Sequence, residues 1–198
     1  MALSCWKVVE VNREDIEPFI EKWHYSGSIN GCISDFCYAL YDRDKVMRGA
    51  MFFGRMAMAN QWKRFGEKET DVIELRRLCC DDSTPRNAES YFIGRALKLL
   101  EKSWKGKVVV SYADKEYGHL GIIYKASNFK QLPDIKGAKV IMLNGKRFHD
   151  KAIRTKYKGE LKPFAKRLVE ALNDGTASYH QTLGKCTFVY NLERKSNV

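Results

Sequence analysis

The sequence has no run of the ~18 consecutive apolar residues that a membrane-spanning helix requires, so we expect no such helix. Its first residues, MALSCWKVVEVNRED, contain no charged region followed by an apolar one, so we expect no secretory signal. No CxxC pair occurs among the six cysteines, and the adjacent Cys79 and Cys80 have a poor geometry for bridging each other. These absences predict reduced thiols and a cytoplasmic location.

Repeats and low-complexity tracts are also absent, and 44% of the 198 residues are hydrophobic, so we predict a single domain over residues 1–198. The charge is unevenly distributed. Residues 115–198 contain 17 Lys and Arg against 7 Asp and Glu, whereas residues 1–114 contain 18 against 17. This pattern predicts a basic C-terminal portion, from about residue 130 to residue 198, that binds a polyanion, most simply nucleic acid.

The basic portion is also compatible with a merely soluble basic face and with attraction to an anionic membrane, and both alternatives stay open. We favour nucleic acid over a membrane for two reasons. Aromatic residues are interleaved with the charges, and no basic amphipathic helix is flanked by an anchor.

Hydrophobic periodicity predicts alternating strands and helices. We predict strands at 6–11, 72–80, 108–114 and 187–192, hairpins at 36–54 and 140–149, and helices at 12–24, 88–104, 118–127 and 160–173. The Asn-Gly pair of the second hairpin favours a type I′ turn. The order β-α-β-β-β-α-β-α-β-β-α-β predicts an α/β (or α+β) fold with a mixed central sheet and flanking helices.

Polar residues follow the strand 108–114. Asp114 ends this strand, His119 follows five residues later and Tyr124 ten residues later. The carboxyl end of such a strand opens a crevice that ligands favour, and a tyrosine on the next helix can protonate a leaving group. The structural alternative is that Asp114 caps a helix while His119 and Tyr124 pack.

Two adjacent arginines occur in the predicted strand that carries IELRRL. Because alternate strand residues face opposite sides, Glu74 and Arg76 are predicted to share one face, and Leu75 and Arg77 the other. An arginine inside a sheet destabilises it unless it is paired. One of the two is therefore predicted to meet an anionic ligand or an acid, with a salt bridge to Glu74 or Asp114 as the structural alternative.

The segment STPRNAES leads into the second long helix. A helix N-terminus presents unpaired amides and a partial positive charge, so Arg86, Asn87 and Ser90 are predicted to bind a cofactor phosphate. The segment lacks the glycine spacing of a P-loop, and a plain helix cap is the alternative.

His24 and Tyr25 end the first helix and precede a Ser/Gly loop. His24 is a candidate base, metal ligand or partner of the helix dipole. Zinc is unsupported because the sequence has no HxxxH or His/Cys spacing. A set of His24, Asp114 and Tyr124 is a hypothetical iron site.

Six segments in order, HYSGS, IELRRL, RNAESYFI, SYADKEYGHLGIIYKASNF, KRFHDKAIRTKYKG and KCTFVYNL, resemble the Mom family of phage DNA adenine-modification proteins. The resemblance covers about residues 20 to 192. It implies a GNAT-like acyltransferase fold and a phage-encoded enzyme in the host cytoplasm. The implied reaction transfers a carbamoylmethyl- or acyl-type group to the exocyclic amine of adenine in DNA, which protects that DNA from host restriction.

The resemblance also implies site residues. It assigns catalytic roles to six residues through the family's HYS, ELxRL, N-x-E-S, SYAD and IY motifs: His24, Tyr25, Arg77, Ser90, Asp114 and Tyr124. His149 and Tyr157 match a C-terminal H…KYG element, which reads KYKG here. GNAT enzymes usually carry Q/RxxGxG/A at the donor loop, where this chain has STPRNAES. The donor therefore stays open between an acyl-CoA and an aminoacyl donor.

The mechanism implied by the resemblance begins with a flipped-out adenine that stacks on Trp62, Tyr25 or Phe129. Asp114 or His24 takes the amine proton, and Tyr124 protonates the leaving group. Arg77 and Ser90 hold the donor. Two further functions stay open: a GNAT-like N-acyltransferase that acts on a protein or small amine, and a non-catalytic DNA-binding phage protein.

Overall fold

The computed structural model describes residues 3–192, over which strands and helices alternate. The α-helices are α1 (Arg13–Trp23), α2 (Ala88–Ser103), α3 (Ile122–Ala126) and α4 (Pro163–Asn173). The strands are β1 (Lys7–Val11), β2 (Phe36–Tyr41), β3 (Met47–Gly54), β4 (Val72–Cys80), β5 (Val108–Asp114), β6 (Lys130–Ile135), β7 (Lys139–Leu143), β8 (Lys146–His149), β9 (Lys156–Tyr157), β10 (Glu160–Leu161), β11 (Ala177–Gln181) and β12 (Lys185–Asn191). Every predicted helix and strand corresponds to an observed one, although several bounds differ.

Contacts between residues divide the chain into two compact units. The first contains the residues up to Ala113, Leu120–Pro133 and the residues from Cys186 onward, and the second contains Asp114–His119 and Asp134–Lys185. The assignment of residues 1–198 to one domain stays a prediction.

The first unit is built on a sheet with the strand order β1-β2-β3-β4-β5-β12-β6. Neighbouring strands from β1 to β4 are antiparallel, while β4 and β5 are parallel. The sheet is therefore mixed, as the sequence predicted.

Helices cover both faces of this sheet. Ile16 and Ile20 of α1 are buried in a cluster with Phe52. Phe92 of α2 belongs to the cluster on the opposite face, together with Phe53. The start of α1 is fixed as predicted from its cap residues, because the Asp15 carboxylate accepts the backbone N–H of Asn12 at 2.9 Å.

A β-bulge interrupts the pairing of β3 with β4. Phe52 lies opposite Arg77 and Phe53 lies opposite Leu75, so Arg76 is the extra residue. The bulge places Arg77 on the face of Phe52, whereas Leu75 packs into the cluster on the other face. The prediction that Leu75 and Arg77 share a face is therefore wrong, because the inserted residue shifts the alternation by one.

The parallel strands β4 and β5 separate beyond this point. Their pairing runs from Val72 opposite Val108 to Leu75 opposite Ser111. Over the described residues that follow, up to Cys80 in β4 and Ala113 in β5, the two strands are not paired with each other. The carboxyl ends of these strands are therefore the place in the first unit where a ligand crevice is expected.

The second unit contains a small antiparallel sheet in the order β11-β7-β8. Leu168 and Ala171 of α4 pack with Ile141 on one face of this sheet. Asn144 and Gly145 of the β7–β8 turn have φ values of 48° and 72°, which is the predicted type I′ geometry. Leu161 lies in β10, so the last predicted helix begins at Pro163 instead of residue 160.

All six cysteines are free thiols, and burial raises the pKa of the Cys79 thiol to about 12. Between residues 3 and 192, no helix is both long enough and apolar enough to cross a membrane.

Candidate active site

Tyr124 is held at the sheet by a glycine. Gly121 precedes α3 with a φ of +72°, and a Cβ at this position would lie 2.1 Å from the Phe188 ring. Only glycine lets the start of α3 approach β12 so closely. The Tyr124 ring then packs between Phe188 and Phe129, with ring centroids 5.2 Å and 5.6 Å away.

The Tyr124 hydroxyl is a buried proton donor. Burial, with smaller effects from the negative charges of Tyr25 and Glu74, raises the pKa of this phenol to about 12, against the opposing effect of a hydrogen bond with Ser111. The phenol therefore stays protonated at neutral pH. Ser111 belongs to the last residue pair of β4 and β5, so Tyr124 lies where these strands separate.

Glu74 is a buried carboxylate on β4, and sequence reasoning missed it as a site residue. Its Oε2 atom accepts the backbone N–H of Ala57 at 3.3 Å and lies 3.7 Å from Nη1 of Arg76. Its charge also raises the pKa of Tyr112, which reaches about 12 chiefly through burial. Glu74 thus lies near the phenols of both Tyr112 and Tyr124. The sequence signal that could have identified Glu74 was an acidic residue within an otherwise apolar stretch of a predicted strand.

The two arginines of β4 are fixed through different contacts. Arg76 pairs with Glu74, as the structural alternative predicted, and donates to the Arg55 carbonyl at 2.9 Å. Arg77 donates through Nη1 to the Arg76 carbonyl at 2.8 Å. The Nε atoms of both arginines are buried without a hydrogen-bond partner among residues 3–192.

His24 and Tyr25 lie at the end of α1. His24 is buried, its Nδ1 atom accepts the backbone N–H of Ser26 at 3.1 Å, and its ring lies 4.2 Å from the ring of Tyr25. Since Nδ1 is an acceptor, the proton of the neutral imidazole lies on Nε2. Tyr25 is 48% exposed and electrostatically coupled to Tyr124. Tyr25 and Glu74 therefore both act electrostatically on the Tyr124 phenol.

The predicted cofactor-binding residues Arg86, Asn87 and Ser90 lie at the N-terminus of α2. Asn87 precedes the helix with a φ of 70° and makes no side-chain cap bond, and Ser90 Oγ donates to the Asn87 carbonyl at 3.1 Å. The loop before them is ordered by Asp81, which accepts the Ser83 N–H at 3.0 Å. Their cofactor role stays a prediction.

Asp114 is buried in the second unit. One carboxylate oxygen accepts the Glu116 N–H at 3.1 Å, and the other lies 3.4 Å from Lys185 Nζ. These are the contacts of a cap and an ion pair, which is the structural alternative, and a catalytic role stays a prediction. His119 is exposed, and its N–H donates to the Asp114 carbonyl at 3.2 Å.

The predicted iron site has no support. Within residues 3–192, no group of three or more His, Cys, Asp or Glu side chains is placed to hold a metal ion. The Asp114 carboxylate already contacts Lys185, and the raised pKa of Tyr124 disfavours the phenolate that a metal would need.

The three aromatic candidates for base stacking differ in exposure. Phe129 is buried between Tyr124 and Tyr190, so it is not available to a base and this prediction is wrong. The Phe129 ring packs in the core, so it cannot serve as the stacking surface predicted from the sequence. Tyr25 and Trp62 are both accessible.

The chain is similar in sequence to a phage protein. The chain is 33% identical over 131 residues to "Methylcarbamoylase mom" of Escherichia phage Mu, over 64% of this chain and 50% of the phage protein. The chain therefore spans about half the length of the curated relative it matches.

Solved structures with low identity share the fold. Arabidopsis thaliana NAA60 in complex with acetyl-CoA matches with a TM-score of 0.54 and 12% identity, over 94% of this chain and 98% of that chain. A variant of the spermidine N-acetyltransferase SpeG from Vibrio cholerae matches with a TM-score of 0.52 and 8% identity, over 95% and 94% of the two chains. The fold is therefore GNAT-like, which confirms the predicted fold class.

The resemblance that six sequence segments indicated is confirmed over nearly the whole chain. A model of the Mom protein family matches residues 5–196. The chain belongs to the Mom protein family.

Proposed function

We propose that the protein transfers a carbamoylmethyl- or acyl-type group to the exocyclic amine of adenine in DNA, and that this modification protects phage DNA from host restriction. The observation that carries the proposal is the buried phenol of Tyr124 where β4 and β5 separate. Membership of the family that includes the phage Mu methylcarbamoylase supports the identity of the transferred group.

Tyr124 acts as the general acid in this proposal. The adenine amine attacks the transferred carbon of the donor, the new N–C bond forms, and the bond from that carbon to the leaving group breaks. The leaving group takes the proton of Tyr124. A phenol whose pKa is raised to about 12 is fully protonated before the reaction, and it can donate a hydrogen bond and then its proton as negative charge develops on the leaving group.

The amine also loses a proton, and three groups are candidates to accept it. Asp114 and His24 were predicted from the sequence, and the structure adds Glu74. We favour Glu74 because it lies within electrostatic reach of Tyr124, whereas Nδ1 of His24 is occupied by Ser26. Asp114 and Glu74 each already contact one backbone N–H and one cation, so the preference for Glu74 rests on its electrostatic effect on Tyr124.

The donor is proposed to lie along the N-terminus of α2. Unpaired amides of the first turn attract a phosphate, and Arg86, Asn87 and Ser90 add side-chain contacts. Arg77 stabilises the negative charge that develops at the reacting end. An acyl-CoA donor is supported by the acetyl-CoA bound to the Arabidopsis protein of the same fold, and an aminoacyl donor is the alternative.

The target adenine must leave the duplex stack to reach a buried phenol. Tyr25 is proposed as the residue that stacks on the flipped base, because it is half exposed and lies beside the Tyr124 site. Trp62 is the second accessible ring.

The test is expression of the protein in a bacterium, followed by mass spectrometry of nucleosides, proteins and small amines. We expect a new adenosine adduct in the DNA. Acylated protein or polyamine with unmodified DNA would instead identify an N-acyltransferase of another substrate class. No new product of either kind, with DNA binding intact, would identify a non-catalytic DNA-binding protein.

A further inference from the structure

The second unit carries unpaired positive charge. Its 58 residues include 13 Lys and Arg against 7 Asp and Glu. Six of the seven acids already have partners within the unit: Asp114 with Lys185, Glu116 with His180, Asp134 with Lys115, Asp150 with Arg154, Glu160 with Lys166, and Asp174 with the Thr176 N–H. Nine of its cations make no ion pair among residues 3–192: Lys136, Lys139, Lys146, Arg147, Lys151, Lys156, Lys158, Lys162 and Arg167. The free charge of this unit is therefore available to a polyanion.

Two of these cations flank an exposed tyrosine on the hairpin formed by β9 and β10. Tyr157 lies opposite Glu160, and Lys158 and Gly159 form the two-residue turn. The Tyr157 side chain is 66% exposed, and Lys158 Nζ lies 5.6 Å from the centre of its ring. Lys156 precedes the tyrosine and is also exposed. The hairpin thus presents an aromatic ring beside the ammonium group of Lys158, with a second exposed lysine next to the tyrosine in the chain.

The turn residue Lys158 occupies a backbone position that usually carries asparagine or glycine. Its φ is 48°, in the left-handed region that Asn and Gly adopt most readily. The other hairpin of the same unit uses Asn144 and Gly145 at the equivalent positions. Lysine adopts this left-handed conformation less readily than asparagine does, but it places a positive charge at the tip of the hairpin.

We propose that the β9–β10 hairpin binds DNA, with Lys156 and Lys158 on phosphates and Tyr157 stacked on a base. This inference rests on the proposed function for the identity of the polyanion. A basic side chain gives salt-dependent affinity without sequence information, and an aromatic ring stacks on any base. Unstacked bases of a distorted or single-stranded segment are the natural partners of the Tyr157 ring.

The phosphate contacts are tested by the salt dependence of binding. Fluorescence anisotropy gives the affinity of the full chain for a labelled duplex between about 50 and 200 mM salt. For the double variant Lys156→Ala/Lys158→Ala, we expect the slope of log K against log salt to fall by about 1.8, since each phosphate contact contributes about 0.9. The matched control is Lys98→Ala/Lys102→Ala, which removes two exposed lysines of α2 and should leave the slope nearly unchanged.

The stacking contact is tested separately with two variants of Tyr157. Tyr157→Ala should weaken binding by about 5-fold to about 150-fold at each salt concentration, with an unchanged slope. Tyr157→Phe keeps the ring and should bind as the wild type does. A structural role of the hydroxyl would instead make the phenylalanine variant as weak as the alanine variant.

The outcomes separate this inference from the proposed function. Wild-type slopes and affinities in all hairpin variants, with adenine modification intact in cells, would overturn the hairpin proposal alone. A wild-type protein that binds no duplex at any salt concentration and leaves DNA unmodified would overturn both. Thermal unfolding of each variant checks its fold, which we expect to be intact because the substituted side chains are exposed.

Discussion

Replacement of Tyr124 by phenylalanine separates chemistry from folding. The variant keeps the ring that packs against Phe129 and Phe188 and removes only the hydroxyl. A positioned general acid contributes about 10²- to 10⁴-fold to a rate, so we expect modification to fall by that factor. If Tyr124 only packs in the core, the variant should modify adenine at the wild-type rate.

The expected effect of the same variant on stability is small. The hydroxyl is hydrogen-bonded to Ser111, and a typical buried hydrogen bond contributes about 1 kcal/mol net. Ser111 is not left without a partner, because its Oγ atom also donates to the Leu75 carbonyl at 3.3 Å. We therefore expect the free energy of unfolding to change by about 1 kcal/mol or less.

The assay measures the modified fraction of adenine in cellular DNA at several times after induction, by mass spectrometry of nucleosides. Tyr41→Phe is the control, since it removes the hydroxyl of a partly buried tyrosine on β2 that packs against the opposite face of the sheet. Urea denaturation of both purified variants gives their stability. A Tyr124→Phe protein that accumulates modified adenine at the wild-type rate would refute the role of the phenol.

Three further predictions concern the backbone, the base and the pH dependence. Gly121→Ala should lower the free energy of unfolding by about 2–4 kcal/mol in urea denaturation, because the new Cβ collides with the Phe188 ring; Gly118→Ala has a similar φ but open space and should cost only about 1 kcal/mol. Glu74→Gln should abolish adenine modification in the nucleoside assay. Asp114→Asn keeps an acceptor for its cap hydrogen bond and should retain part of the modification activity. If Asp114→Asn loses more activity than Glu74→Gln, then Asp114 is the general base. Because folding raises the pKa of Tyr124 from 10.0 to about 12, its contribution to stability is complete below pH 10.0 and is lost as pH rises toward about 12. Alkaline unfolding curves should therefore show a smaller loss over this range in Tyr124→Phe, and equal losses would contradict the assignment.

Local signals in the sequence were sufficient for most of the elements. The Asn144-Gly145 pair indicated a type I′ turn at its own position. Asp15 indicated the start of α1, because its carboxylate contacts a residue only three positions away. The strands β9 and β10 were missed because two residues cannot show an alternating pattern. The strand β11 was missed because four of its five residues are exposed, which leaves no apolar alternation to detect.

The site was less predictable because its geometry depends on pairing between distant strands. Tyr124 was identified from its place after a buried strand, but its proximity to Glu74 depends on the parallel register of β4 with β5. The bulge at Arg76 has no signature in the residues around it, since it is a property of how β3 and β4 align. A sequence therefore indicates which polar residues are unusual, and the strand register decides which of them meet.

The bulge brings the side chains of two adjacent arginines, Arg76 and Arg77, to the same side of β4. Of the two, Arg76 alone pairs with Glu74. A buried donor without a partner destabilises a fold by about 1–3 kcal/mol, and the described residues offer none to either Nε atom. Apolar side chains would remove this cost, so stability does not account for both arginines. Their position beside the separation of β4 and β5 supports the proposed contact between Arg77 and an anionic donor, whose binding would recover part of that energy.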